Sequence, residues 1–349
     1  MDDFKRVSRN AQEIVTAEEL NALLASGRRK AYIGFEPSGT VHLGWKITTD
    51  KVRDMVDAGF EVDILLADWH AYINDKLGGD LDSIKACGKY MEDCFEALGV
   101  PREKVNFVYA SDIISDPRYW ELVIKVAKNA SLSRIKRAMD IMGRSADDAE
   151  RDMSKFLYPA MQVADIFYLN VDLAYGGMDQ RHAHMLCRDV AAKLGFKPPV
   201  ALHTPLLSGL QAGGRMDPLE AKMSKSKPDS GIFIHDSEEE VTRKLNKAYC
   251  QQGEVEGNPV LQLAKYIIFP GHLEREGRPF VIDRPEKFGG KLEFADYGAL
   301  ESAFIEGLHP LDLKKAAARY INEILQPVSD YFGKHPQNLE KMRDMNVTR

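Results

Sequence analysis

Residues 31–45 read Ala31-Tyr32-Ile33-Gly34-Phe35-Glu36-Pro37-Ser38-Gly39-Thr40-Val41-His42-Leu43-Gly44-Trp45. The first five are apolar and of strand length, Pro37, Ser38 and Gly39 break the run, and a helical pattern follows over about 45–59. A strand that runs through a glycine-bearing loop into a helix is the entry unit of a parallel α/β sheet. The N-terminus of such a helix offers unpaired N–H groups and the positive end of its dipole to a phosphate. Outward from this unit the pattern repeats. Val62–Ala67 (VDILLA), Val105–Tyr109, Val171–Tyr175 and the weaker Val200–His203 are apolar runs of strand length. Helical stretches at about 80–99, 118–143 and 178–195 separate them. Strands apolar along both faces and spaced by helices predict a Rossmann-like, doubly wound parallel sheet, with ligands beyond the carboxyl ends of its strands. After Lys227-Pro228 the strand signals fade, and the chain from 237 onward reads mostly helical, which places a boundary near 232.

The 349 residues suit two domains at roughly 100–200 residues each. With 44% hydrophobic and 29% charged residues the chain reads as globular and not disordered. Lys+Arg number 47 against 53 Asp+Glu, a net charge of −6, which excludes a global basic footprint for nucleic acid and leaves only a local one. No run approaches the roughly 18 apolar residues of a membrane helix, and the polar start MDDFKRVSRN carries no signal-peptide core. Cys87, Cys94, Cys187 and Cys250 form no Cys-x-x-Cys pair. Neither a zinc site nor a disulfide framework is therefore expected, and the chain reads as cytoplasmic with reduced thiols and no structural metal.

Three segments carry chemistry. His42-Leu43-Gly44 sits where the first helix begins, so His42 can donate to phosphate oxygens and Gly44 lets a base or ribose approach the backbone; alone, it reads first as an ordinary strand–turn–helix with a capping histidine. Lys222-Met-Ser-Lys225-Ser226, in the Gly/Pro-flanked loop 211–232, brings two ammonium groups that can follow a leaving pyrophosphate; alone, it reads as a solvated basic loop. Tyr158, Gln162 and Asp165 fall at i, i+4 and i+7 of a helix expected to open at Tyr158, with Pro159 in its first turn. A phenol, an amide and a carboxylate on one face amid apolar neighbours point to a pocket. Gly176-Gly-Met-Asp179-Gln180 follows the next strand, at a carboxyl end.

The His-x-Gly helix entry paired with Lys-Met-Ser-Lys-Ser about 180 residues later resembles class I aminoacyl-tRNA synthetases. YIGFEPSG (32–39), HLG (42–44), LLADWHAY (65–72), YPAMQVAD (158–165), GGMDQR (176–181), KMSKS (222–226), EGNP (256–259), RPEKFGG (284–290) and LHPLDLK (308–314) narrow the resemblance to the tyrosyl-tRNA synthetase family of archaeal/eukaryotic type along nearly the whole chain. The resemblance implies a catalytic domain over 1–232, with a helical insertion at about 112–157, and an anticodon-binding domain over 233–349. It implies that Tyr32 and Asp165 bind the substrate phenol, and that Tyr158, Gln162 and Gln180 hold its ammonium. Gly34, His42, Gly44, Asp179, Lys222 and Lys225 match ATP-contacting positions, with His42, Lys222 and Lys225 in catalysis. Phe288, His309 and Asp312 match anticodon-reading positions. ATP with Mg²⁺, L-tyrosine and tRNA(Tyr) are the implied substrates, and the family is homodimeric. One departure stands out: the usual His-x-Gly-His ends here in Trp45. Within the insertion, Lys125, Lys128, Arg134, Lys136, Arg137 and Arg144 face one acid, Asp140, a local +5 suited to phosphate contact.

Overall fold

A computed structural model describes residues 2–139, 152–213 and 228–345. They belong to two compact units: Met1–Gly39, Lys51–Pro205 and Gln337–Arg349 in one, Thr40–Asp50 and Leu206–Pro336 in the other. These units follow packing, and their bounds differ from the functional division expected at 1–232 and 233–349.

The first unit is built on β1 (Glu13–Val15), β2 (Lys30–Phe35), β3 (Glu61–Leu66), β4 (Val105–Tyr109), β5 (Leu173–Gly177) and β6 (Val200–Thr204), in the order β1-β6-β5-β2-β3-β4. From β2 the chain steps outward to β3 and β4, then returns to β5 on the other side of β2 and steps out to β6, all in parallel. The reversal between β2 and β5 is the switch point at which a doubly wound sheet opens a crevice beyond its carboxyl ends. All five residues of β6 and the last five of β3 are buried, which is why both carry apolar runs, interrupted by Asp63 in β3 and ended by His203 and Thr204 in β6.

Three details depart from the expectations. β1 pairs antiparallel with β6 at the sheet edge, so the sheet is not wholly parallel; three residues beginning with glutamate carry too little pattern to announce a strand. The stretch expected as one helix over 118–143 is, in its described part, two: Pro117–Asn129 ends at an extended Ala130, and Ser131 caps Leu132–Ala138 by accepting from the Arg134 N–H. The helix carrying Tyr158 begins at Ser154, so Pro159 lies inside it, where it cannot donate to the Lys155 carbonyl.

In the second unit residues 41–43 run beside 232–234: Leu43 N–H donates to the Ile232 carbonyl at 2.8 Å and Ile234 N–H to that of Val41 at 3.1 Å. The helix Trp45–Asp57 starts directly after this pairing. The C-terminal part is helical, as expected, with a small antiparallel sheet added by β7 (Phe280–Ile282) and β8 (Leu292–Phe294). Its longest helix, Pro310–Lys334, has His309 at the N-cap and Pro310 at the first position, where a missing N–H costs nothing. That helix buries Leu313, Ala317, Ile321, Ile324 and Val328, a stripe of helical period. Among the described residues no helix is long and apolar enough to cross a membrane.

Candidate active site

The crevice end of the first unit gathers the residues that the sequence separates. Tyr32, on β2, is 2% exposed, and burial together with the Asp165 charge holds its phenol well above the ordinary range, so it stays protonated. Gly34 makes room for that phenol: a Cβ there would lie 2.5 Å from the Tyr32 hydroxyl oxygen. Asp165, 1% exposed, is flanked by two groups that were not singled out as site residues. The Tyr119 hydroxyl donates to Asp165 Oδ1 at 2.8 Å, and His70 Nε2 lies 3.1 Å from Oδ2. The second contact is at ion-pair distance but off the hydrogen-bond line, so Asp165 Oδ2 has no hydrogen-bond partner among the described residues. Burial pulls the His70 imidazole down, but Asp165, Glu36 and Asp68 together hold it above its ordinary value.

A second polar group lies on the same helix. The Tyr158 hydroxyl donates to Glu36 Oε1 at 2.7 Å, and Asn74 Nδ2 donates to both Glu36 oxygens at 3.0 and 3.1 Å. Gln162 Nε2 donates to Gln180 Oε1 at 3.0 Å, which leaves Gln162 Oε1 buried and unpartnered among the described residues. Gln180 and Asp179 sit half-buried on the short turn Met178–Gln180 after β5. Buried acceptors without partners are rare in folded proteins and mark places where a ligand completes the bonding. Here one such acceptor is a carboxylate oxygen suited to an O–H, and the other an amide oxygen suited to an ammonium. Tyr32, Tyr158, Gln162, Asp165 and Gln180 all lie in the first unit: Tyr158, Gln162 and Asp165 hydrogen-bond to Glu36, Gln180 and Tyr119, and Tyr32 meets Asp165 through its charge. Glu36, His70, Asn74 and Tyr119 were missed; only the position of His70 inside LLADWHAY and of Glu36 inside YIGFEPSG hinted at them.

In the second unit the Gly44 N–H donates to His42 Nδ1 at 3.1 Å, so the ring carries its own proton on Nε2. A Cβ at position 44 would come within 2.7 Å of the His42 ring. The bare backbone at Gly44 therefore accommodates the histidine, a reason the sequence did not suggest. Trp45 opens the helix and is 8% exposed. Lys222 and Lys225 lie outside the described residues, as do Arg144 and Asp140.

The remaining nucleic-acid candidates are spread out. Phe288 is 62% exposed on a short turn, with the Lys287 ammonium 4.9 Å from its ring centre. His309 Nδ1 accepts from the Leu311 N–H at 3.2 Å as a helix cap, and Asp312 is half-buried in the first turn of that helix. Among the described residues no hydrogen bond or ring contact joins Phe288 to either. Arg134 is paired with Asp189 at 2.5 Å and Lys125 with Glu121 at 2.6 Å, while Arg137 is exposed.

A doubly wound sheet with its acceptors at the switch point, and a His-x-Gly sequence entering a helix, define a class I aminoacyl-tRNA synthetase. Residues 25–326 match the family described as tRNA synthetases class I (W and Y), and the chain belongs to that family. A tyrosine--tRNA ligase of Aeropyrum pernix is 53% identical over 336 residues, 93% of this chain and 91% of its own length. The crystal structure of a tyrosyl-tRNA synthetase from Pyrococcus horikoshii, complexed with L-tyrosine, superposes with a TM-score of 0.90 at 44% identity, covering 98% of this chain and 100% of that one. A tryptophanyl-tRNA synthetase structure from Aeropyrum pernix reaches 0.68 at 20% identity over 93% of this chain and 84% of its own, a likeness of fold alone. The activity is that of a tyrosine--tRNA ligase: tyrosine is activated with ATP and tRNA is charged with it.

Proposed function

We propose that Tyr32 and Asp165 select L-tyrosine by its hydroxyl while Tyr158, Gln162 and Gln180 hold its ammonium. The observation that carries this reading is the buried Asp165 Oδ2, which lacks a hydrogen-bond partner among the described residues, on a carboxylate whose charge acts on Tyr32. A phenol both donates and accepts, so it can bond Asp165 and Tyr32 together, whereas an indole N–H only donates. His42, Gly34, Gly44, Asp179, Lys222 and Lys225 take ATP with its Mg²⁺. The tyrosine carboxylate attacks the α-phosphorus, the bond to the bridging oxygen breaks, and pyrophosphate leaves with its charge neutralised by His42 Nε2–H and the two lysines. No protein nucleophile is needed; rate comes from positioning and from charge stabilisation.

Residues 1–232 serve this chemistry, with the insertion at 112–157, and residues 233–349 read the tRNA(Tyr) anticodon through Phe288, His309 and Asp312. Arg134, Lys136 and Arg137 contact tRNA phosphates. The chain works as a homodimer; Trp120 and Ile124, one helical turn apart, and Leu132 are exposed apolar side chains on the insertion, at 39%, 66% and 63%. Four free thiols favour a reducing, cytoplasmic setting.

The test is amino-acid-dependent ATP–pyrophosphate exchange with tyrosine, phenylalanine and tryptophan. Only tyrosine should support exchange efficiently. Asp165→Ala should erode the preference for tyrosine over phenylalanine by about 1.5–3 kcal/mol, the scale of a hydrogen bond to a charged group. Unchanged selectivity in the variant would sink the assignment.

A further inference from the structure

We propose that Tyr119 and His70 are positioning residues of tyrosine selection: from two separate helices they hold the Asp165 carboxylate so that Oδ2 is the atom left to accept the substrate's phenol O–H. This rests on the tyrosine-site reading above and deepens it. The argument begins with what a lone aspartate can do. A carboxylate that is free to turn about its side-chain bonds finds another donor when phenylalanine replaces tyrosine, and the penalty for the missing hydroxyl shrinks. Selectivity therefore needs a carboxylate that stays in place when its partner is absent.

The geometry supplies that constraint. Tyr119 lies on the helix Pro117–Asn129 and is fully buried. Its hydroxyl has one proton and two acceptors in reach, Asp165 Oδ1 at 2.8 Å and the Met161 carbonyl at 3.3 Å; the shorter bond, to the anion, is the stronger. Its ring is fixed in turn by edge-to-face contacts with Trp120 and Tyr168, centroids 5.8 Å away in each case. Oδ1 is thereby tied down. On the other side His70, on the helix Asp68–Ile73, is 1% exposed, with its ring edge-on to Tyr158 at 5.0 Å. Its Nε2 approaches Oδ2 to 3.1 Å without lining up as a donor, so it attracts the carboxylate and leaves Oδ2 able to accept. The Asp165, Glu36 and Asp68 carboxylates favour its charged form against burial.

The test is pyrophosphate exchange on the whole protein, with kcat/KM measured for tyrosine and for phenylalanine. Tyr119→Phe keeps the ring and removes only the bond to Oδ1. It should lower the tyrosine-to-phenylalanine ratio about ten- to a hundredfold, with the loss on tyrosine KM more than on kcat and phenylalanine unchanged or improved. His70→Leu, which removes the attraction on Oδ2, should shift the ratio the same way. A common loss with both substrates and a constant ratio, in Tyr119→Phe and His70→Leu alike, would show that the two residues merely pack, and would overturn the proposal. Asp165→Asn run in parallel separates the two levels. If it moves the ratio and the other variants do not, the clamp fails and the site reading stands; if it leaves the ratio unchanged, both fall.

Discussion

A methyl group at position 44 would meet the His42 ring at 2.7 Å, closer than carbon atoms approach without something moving. The ring would have to turn, and the Gly44 N–H would lose its acceptor on Nδ1. Gly44→Ala should therefore lower the rate of tyrosine activation about tenfold or more, the low end for losing a positioned donor to a developing phosphate charge, with little change in tyrosine affinity. Stopped-flow or exchange rates against tyrosine titrations measure both; a large change in tyrosine affinity alone would place position 44 elsewhere in the mechanism. Trp45, where the family signature has histidine, is buried. Trp45→Phe should retain exchange activity within a few-fold, because the ring packs; a tenfold loss would assign its indole N–H to a phosphate. At this scale the sequence was readable where side chains share one helix, as Tyr158, Gln162 and Asp165 do. It was silent on Tyr119, 46 residues away on another helix, because a hydrogen bond between elements leaves no spacing to find.

Elements announce themselves when both their faces are buried. β3 did so, and β6 more weakly because His203 and Thr204 are polar, whereas β1, with no fully buried residue, did not. Yet β1 has a structural task. Glu13 Oε2 lies 2.9 Å from His203 Nδ1 on β6, and His203 Nε2 lies 3.0 Å from His184 Nδ1 on the helix Arg181–Ala191. With the Glu13 carboxylate accepting from His203 Nδ1–H, a neutral His203 accepts at Nε2 from His184 Nδ1–H. Burial, aided by the neighbouring His203, depresses His184 from the ordinary 6.5 to about 3. Below pH 6.5 the unfolded chain therefore takes up a proton that the folded chain refuses. Stability is unaffected above that pH and falls as pH drops through the window down to about 3, by at most about 1.4 kcal/mol per unit for this group. Between pH 7 and 6 urea midpoints report mainly the histidines. His184→Gln should flatten the decline there, at some cost to stability at pH 7. An unchanged slope would mean that His184 is protonated in the fold after all.

At the scale of the molecule, a chain with net charge −6 has to bind a polyanion. It cannot do so by overall attraction, so specificity must come from a few local contacts. In the described part of the basic stretch, 125–139, Arg134 and Lys125 already have carboxylate partners, which tRNA phosphates would have to replace. The exposed Phe288 is stronger: a large aromatic at 62% exposure, with a lysine beside its ring, has no packing reason to be there and suits a base splayed from the anticodon loop. Asp312, in the first turn of the helix Pro310–Lys334, can accept from a guanine edge. Amino-acid activation requires only tyrosine and ATP, and charging requires tRNA as well, so the two assays separate the roles. Stacking on one aromatic contributes about 1–3 kcal/mol per base. Phe288→Ala should thus lower kcat/KM for tRNA charging by roughly ten- to a hundredfold while tyrosine-dependent pyrophosphate exchange stays at the parent rate. Asp312→Ala should do the same for tRNA(Tyr), with a smaller loss for a transcript altered at the anticodon base it reads. Parallel losses in exchange and charging would show that these residues hold the C-terminal fold together and do not touch tRNA.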